Sequence, residues 1–187
     1  MHTPRHLDVA AHRSLATWTR RELAARALWE ILRAPLFAWT PRPLWAWRRF
    51  VLRAFGAHIG RDVRIHPSVR IAIPWNLEIG DDVGIGDGAI LYALGRIVVG
   101  PRATISQYAH ICAGSHDYRR ADFALVKASI IIGAEAWICA DAFVGPGVTV
   151  GAGAIVGARA VALRDVAAQT IVVGNPARVR GRRIAPH

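Results

Sequence analysis

Several large protein classes are excluded by what this chain lacks. Only two cysteines stand among 187 residues, with no CxxC or zinc-finger spacing, so a disulfide-stapled scaffold is ruled out. No apolar stretch reaches the roughly 18 uncharged residues of a membrane-spanning helix. Asp8, His12 and Arg13 interrupt any signal-peptide core, and a cytoplasmic location is the expectation. Glycine is missing from the first 55 residues, since all 17 lie from Gly56 onward. Acidic residues are few, 13 against 24 Lys and Arg.

The resulting net charge of +11 is unevenly placed. Ten arginines before Gly56 face only Asp8, Glu22 and Glu30, whereas residues 56–177 are neutral. Arg178, Arg180, Arg182 and Arg183 make the last ten residues basic again. A neutral body between two basic ends argues against a nucleic-acid groove, which needs a continuous basic surface. With 53% hydrophobic residues, the chain can bury a sizeable core.

From Ile59 the chain is periodic. Reading every sixth residue in blocks of eighteen gives Ile59, Ile65, Ile71; Ile79, Ile85, Leu91; Val99, Ile105, Ile111; Ile132, Ile138, Val144; Val150, Val156, Ala162. Fourteen of these fifteen are Ile, Leu or Val, which make up only 48 of 187 residues. The phase breaks at 77–78, 97–98 and 117–131. Four residues after the aliphatic residue the side chain is usually small or Val, as at Val63, Ala103, Ala136 and Ala154.

A period of six is neither the 3.6 of a helix nor the 2 of a plain strand. It fits a short strand and a corner, three per turn, with the aliphatic residue pointing into a triangular prism. Glycine would supply backbone freedom at the corners, and about five coils would stack at roughly 4.8 Å.

This pattern resembles the hexapeptide repeat of left-handed β-helix acyltransferases. Gly114-Ser115-His116-Asp117-Tyr118, the run Trp137–Val150 and the closing Gly174-Asn175-Pro176-Ala177 resemble the O-acetyltransferases of polysaccharide biosynthesis, of the colanic-acid type. These are relatives of the maltose and galactoside acetyltransferases. The resemblance implies a homotrimer that uses acetyl-CoA as co-substrate, without metal, to acetylate a sugar or oligosaccharide hydroxyl. Charge, glycine placement and periodicity divide the chain into a basic tryptophan-rich helical segment 1–55, a β-helix domain 56–177 with a loop insertion at 117–131, and a basic tail 178–187.

His116 falls where the fifteen-residue insertion leaves the prism. Acetyl transfer from a thioester to a hydroxyl requires removal of one proton, a task for which imidazole is suited near neutral pH. The resemblance makes His116 the general base; position alone equally allows a corner histidine bonding a neighbouring carbonyl. The resemblance also carries Ala140 and Ala158 over as backbone contacts to the pantetheine arm. Arg164 and Arg178 would hold the nucleotide phosphates, and Trp137 would line the groove. Counting by coil places Asn76, Arg96, His116 and Thr149 on one edge. Asn76 and Arg96 would therefore reach toward the sugar, while Asp117 would orient His116 or contact the sugar.

Two rival chemistries use the same residues. The γ-type carbonic anhydrases share the fold and bind zinc through three histidines, but His58, His66, His110 and His116 lack their spacing. Cys112 and Cys139 could carry an acyl group, though each follows an inward aliphatic residue and reads as a small buried thiol at a tight corner.

The first 55 residues hold five of the seven tryptophans. Their apolar periodicity predicts a helix from about 14 to 34, ended by Pro35, and another from 43 to 55, joined through Thr40-Pro41-Arg42-Pro43. Such a segment would cap the open end of the prism. Its Trp and Arg content also suits residues 14–55 to peripheral contact with an anionic membrane, at its cytoplasmic (inner) face. A non-catalytic β-helix binding membrane or partners through this segment is the remaining alternative.

Overall fold

A six-residue recurrence of aliphatic side chains stays inside a prism only if the chain turns a corner after every short strand. In the computed structural model, which describes residues 18–184, it does so. One face is built by β1 (His58–Ile59), β4 (Leu77–Ile79), β7 (Ile97–Val99), β12 (Ile130–Ile132) and β15 (Thr149–Val150). The second carries β2 (Arg64–Ile65), β5 (Gly84–Ile85), β8 (Thr104–Ile105), β13 (Trp137–Ile138), β16 (Ile155–Val156) and β18 (Thr170–Val173). On the third lie β3 (Arg70–Ile71), β6 (Ile90–Tyr92), β9 (His110–Cys112), β14 (Phe143–Val144) and β17 (Val161–Ala162).

All pairing between these strands is parallel and places the repeat residues in columns, such as Ile65, Ile85, Ile105, Ile138 and Val156. Each member of that column is at most 1% exposed, and burying one such side chain is worth about 1.5–3 kcal/mol. Beyond the five coils expected, Val166 bridges to Val150 and β18 adds to β16, beginning a sixth. It escapes an eighteen-residue count because Val156 and Val172 are sixteen apart.

Corner glycines serve both clearance and backbone freedom: Gly88 and Gly153 take φ of +65°, whereas others are needed for clearance. A Cβ on Gly133 would lie 2.5 Å from the Ala152 nitrogen of the next coil. The left-handed conformation at the corners is taken mostly by other residues, including Asp62, Asp82, Arg102, Tyr108, Glu135, Asp141 and Arg159, with φ of 54 to 60°.

Ahead of the solenoid run α1 (Arg20–Arg33), a π-type turn at Ala34–Ala38 containing Pro35, and α2 (Trp45–Ala54). The Thr19 hydroxyl and the Glu22 carboxylate close a reciprocal capping box at the start of α1. Residues 14–17 of the expected first helix lie outside the described residues.

The main role of this segment is set by the direction of the ladder. First-coil N–H groups donate to the carbonyls of Ile79, Val83, Ile85, Ala89 and Leu91 in the second coil. The equivalent carbonyls of the first coil have no earlier coil to serve them, and a buried acceptor without a donor is costly. Arg53 donates to the Ile59 oxygen (2.7 and 2.9 Å), Arg49 to Val63 (3.0 Å), Arg48 to Ile65 (2.6 Å) and the Trp29 indole to Ile71 (2.8 Å). Val51 and Leu52 of α2 cover the core beneath these bonds.

Arg48 is wholly buried; it also bonds Thr40 Oγ1 and the Pro41 and Arg42 carbonyls and lies over the Trp45 ring. Burial lowers its pKa, but a guanidinium remains protonated.

At the other end, residues 178–182 are not a loose tail. They form β19 (Arg178–Arg182), antiparallel to β18, because the last strand of the second face would otherwise present an unpaired edge.

Replacing Arg48 with Met should lower unfolding stability by about 3 kcal/mol or more, since four acceptors lose their donor at once. Arg49→Ala, at a half-buried site with one bond, should cost about 1 kcal/mol. Urea unfolding of both variants checks the ranking, and Arg48→Lys should fail to restore stability because an ammonium lacks the fork.

Candidate active site

The regular coils break at the edge joining the third face to the first. The chain leaves at Ala113 and returns at Ile130 through a hairpin of β10 (Gly114–His116) and β11 (Leu125–Lys127), in antiparallel register. The insertion thus starts earlier than the expected 117–131, and His116 sits inside the hairpin opposite Leu125 rather than on the prism corner.

His116 is half-buried, and its Nδ1 lies 2.8 Å from the Phe123 carbonyl. A carbonyl can only accept, so Nδ1 carries the hydrogen, and in the neutral ring the lone pair is on Nε2. The imidazole also lies flat on the Phe123 ring, at 4.5 Å between centroids and 5° between planes.

Asp117 bonds within the hairpin. Its backbone N–H donates to the Ala124 carbonyl (2.9 Å) and its carboxylate accepts from the Arg119 N–H (3.0 Å), closing the hairpin tip. At the same tip Arg120 pairs with Asp122 and holds that carboxyl below its usual range. At the base, Lys127 lies 3.6 Å over the Trp18 ring and Arg26 lies 4.3 Å over it, tying the start of α1 to the hairpin.

Asn76 and Arg96 are on the edge that counting gave them, braced within it. Asn76 Nδ2 donates to the Ala93 and Leu94 carbonyls (2.8 and 3.1 Å), and Arg96 pairs with Glu78. Arg164 is on the same edge in the last full coil, where it lines a cavity of about 410 Å³ together with Arg178.

The other expected contacts lie elsewhere on the prism. Trp137 projects from the second face, its indole N–H donating to Ser106 Oγ (2.9 Å), in a groove of about 640 Å³ shared with Arg102 and Arg183. Ala140 and Ala158 stack on the corner between the second and third faces, where the Arg159 N–H meets the Ala140 carbonyl. One chain therefore brings His116 together with Asn76, Arg96 and Asp117 along one edge, and separates them from Trp137, Ala140 and Ala158.

Phe123, Trp18, Arg26 and Lys127 were not legible as site residues. Each works through a contact between segments with no periodic relation. Only the aromatic residue inside a polar insertion hinted at Phe123.

No family model matches the chain. It is 45% identical over 157 residues to the colanic acid biosynthesis acetyltransferase WcaF of Escherichia coli (strain K12), spanning 84% of this chain and 86% of that protein. The chain belongs to the WcaF-type hexapeptide-repeat acetyltransferases. Among solved structures, it resembles a hexapeptide-repeat acetyltransferase of Vibrio cholerae O1 biovar eltor in complex with acetyl coenzyme A. That match has a TM-score of 0.81, 25% identity and coverage of 89% and 91% of the two chains. The maltose O-acetyltransferase of Clostridium difficile 630 shares the fold, with a TM-score of 0.80 at 22% identity over 89% and 90%.

The other chemically capable residues of this acetyltransferase are held in structural roles. Among the described residues no three His, Cys, Asp or Glu side chains come together as a metal site. His66 Nδ1 lies 3.1 Å from the Asp87 carboxylate, without hydrogen-bond geometry. Cys112 donates to the Gly114 carbonyl, and burial pushes the Cys139 thiol up, away from the nucleophilic thiolate.

His110 packs edge-on against Tyr92 and Phe143, its buried Nε2 meeting no partner among the described residues. Burial pushes its pKa below the usual 6.5. Because the folded protein binds this proton less readily than the unfolded chain, the neutral ring's contribution is intact above about pH 6.5 and is lost as pH falls through the lowered value. His110→Phe should therefore show a smaller fall in Tm between pH 7.5 and 5.5 than the parent, measured by thermal unfolding at both pH values.

Proposed function

We propose that the protein transfers the acetyl group of acetyl-CoA to a hydroxyl of a sugar or oligosaccharide in polysaccharide biosynthesis, with His116 as general base. The observation that carries this reading is the His116–Phe123 carbonyl bond, which leaves the lone pair on Nε2. That lone pair takes the acceptor's hydroxyl proton as the oxygen attacks the thioester carbonyl. Backbone N–H groups beside the hairpin stabilise the tetrahedral oxyanion. The C–S bond then breaks, and the departing CoA sulfur receives the proton from Nε2. No acyl-cysteine is required, in keeping with the protonated state of Cys139.

Geometry within one chain favours a homotrimer. Trp137, Ala140 and Ala158 lie away from the His116 edge, so an acetyl-CoA groove is complete only when a neighbouring prism lays that surface beside the hairpin. In this arrangement Arg164 and Arg178 meet phosphate, Asn76, Arg96 and Asp117 approach the sugar, and much of the rate comes from holding both substrates in register.

Peripheral membrane contact through residues 14–55 is a second reading, favoured by one observation. Ile31, Trp39 and Phe50 are 70%, 77% and 59% exposed, on a segment that also exposes Arg20 and Arg21. Among the described residues no helix is long and apolar enough to cross a membrane. This reading places the enzyme at the inner face, where a lipid-linked acceptor would be concentrated.

Calorimetry with acetyl-CoA on metal-free protein should show one site per chain in both wild type and His116→Ala. The variant should lose acetyl transfer by roughly 10²- to 10⁴-fold. Absence of binding to either protein would overturn the transferase reading. Light scattering should report three chains per particle, and wild type but not Ile31→Glu/Phe50→Glu should float with phosphatidylglycerol vesicles.

A further inference from the structure

Resting on the reading of His116 as base, we infer that Phe123 is its positioning residue, acting through its backbone and its side chain at once. The backbone part is unusual. Phe123 has φ of +47°, in the left-handed region that a bulky residue seldom occupies, while its own N–H donates to the Arg120 carbonyl at 3.1 Å. The turn closed by that bond presents the Phe123 carbonyl to Nδ1 of His116 at 2.8 Å. Returning the residue to a negative φ would swing this oxygen away and remove the group that selects the Nδ1–H tautomer.

The side-chain part is the stacked pair. With 5° between the planes and 4.5 Å between centroids, the phenyl ring blocks rotation of the imidazole about its χ2 axis. Carbonyl and ring thus fix two different things: which nitrogen bears the hydrogen, and where the other one points. The charged groups of the hairpin are Asp117, Arg119, Arg120, Asp122 and Lys127. Asp117 and the Arg120–Asp122 pair close the tip, and Lys127 meets Trp18 at the base. None of these contacts duplicates what Phe123 does for Nδ1.

Three substitutions separate the parts. Phe123→Gly tolerates the left-handed backbone and keeps the carbonyl but loses the ring. Phe123→Val is hostile to that backbone. Phe123→Tyr retains both features. Nitrogen-15 NMR of His116 should show the Nδ1–H tautomer in wild type, Phe123→Tyr and Phe123→Gly, and a tautomer mixture in Phe123→Val.

With acetyl-CoA and an accepted sugar, kcat should fall about tenfold in Phe123→Gly and about a hundredfold in Phe123→Val, with KM for acetyl-CoA unchanged and Phe123→Tyr near wild type. An Nε2–H tautomer in wild type, or Phe123→Gly and Phe123→Val both retaining wild-type kcat, would overturn the assignment. The tautomer readout needs no turnover. If His116→Ala stayed active while the NMR pattern held, the base reading would fail and the positioning would stand.

Discussion

The hydrogen-bond ladder of a parallel solenoid has a direction, and the rest of this structure depends on how its first coil is finished. Carbonyls of that coil point toward a neighbour that does not exist. The chain answers with long side chains: Arg48, Arg49 and Arg53 from one helix and Trp29 from the other reach four such oxygens. This explains why so much positive charge gathers before Gly56. Three of those arginines are structural donors held over a hydrophobic core, although a charge tally alone would assign them to an external partner. Arg48 is the extreme case, a buried guanidinium surrounded by carbonyl and hydroxyl oxygens. Its fork supplies several bonds from one point, which a single ammonium would not.

With its end closed, the prism can be regular on two edges and irregular on the third. Left-handed residues turn the first two edges in nearly every coil. Extra residues gather on the third, as the turn at Pro74–Asn76, the turn at Leu94–Gly95 and the hairpin that carries His116. Stacking therefore provides a rigid frame, while His116 sits where the frame is interrupted. The frame also keeps the edge straight: Asn76 bonds the corner of the next coil and Arg96 reaches back to Glu78. These two residues serve as braces in the isolated chain, whatever they offer an acceptor.

Much of the fold was legible because a period of six is a covalent property of the chain. Ile65, Ile85, Ile105 and Ile138 declare their column by spacing alone, and His116 was conspicuous as a histidine where the period lapses. What stayed hidden depends on contacts between segments with no period in common. The sixth coil was obscured by a corner two residues shorter, and strand β19 by a run of arginines that reads as a solvated tail. Glycine was read for flexibility where Gly133 is needed for clearance. Phe123 leaves little trace in the sequence because it meets His116 through a backbone oxygen and a ring face, neither of which has a sequence signature. The Asp117 carboxylate meets the Arg119 N–H, a contact that likewise has no sequence signature.

The hairpin leaves and rejoins the prism through a narrow gap. Ala128 returns its N–H to the Ala113 carbonyl, and Ile130 resumes the ladder against Arg96 as though nothing had intervened. Columns on either side stay in register across it, Ile111 against Val144 and Val99 against Ile132. Mechanically, the insertion behaves as a tool clamped in a chuck. Its length and tip can change without any coil having to shift, so drift in the hairpin and preservation of the core are separate problems for this chain. Both partners of the His116–Phe123 bond lie within the insertion, so a rewritten tip would have to supply that carbonyl again.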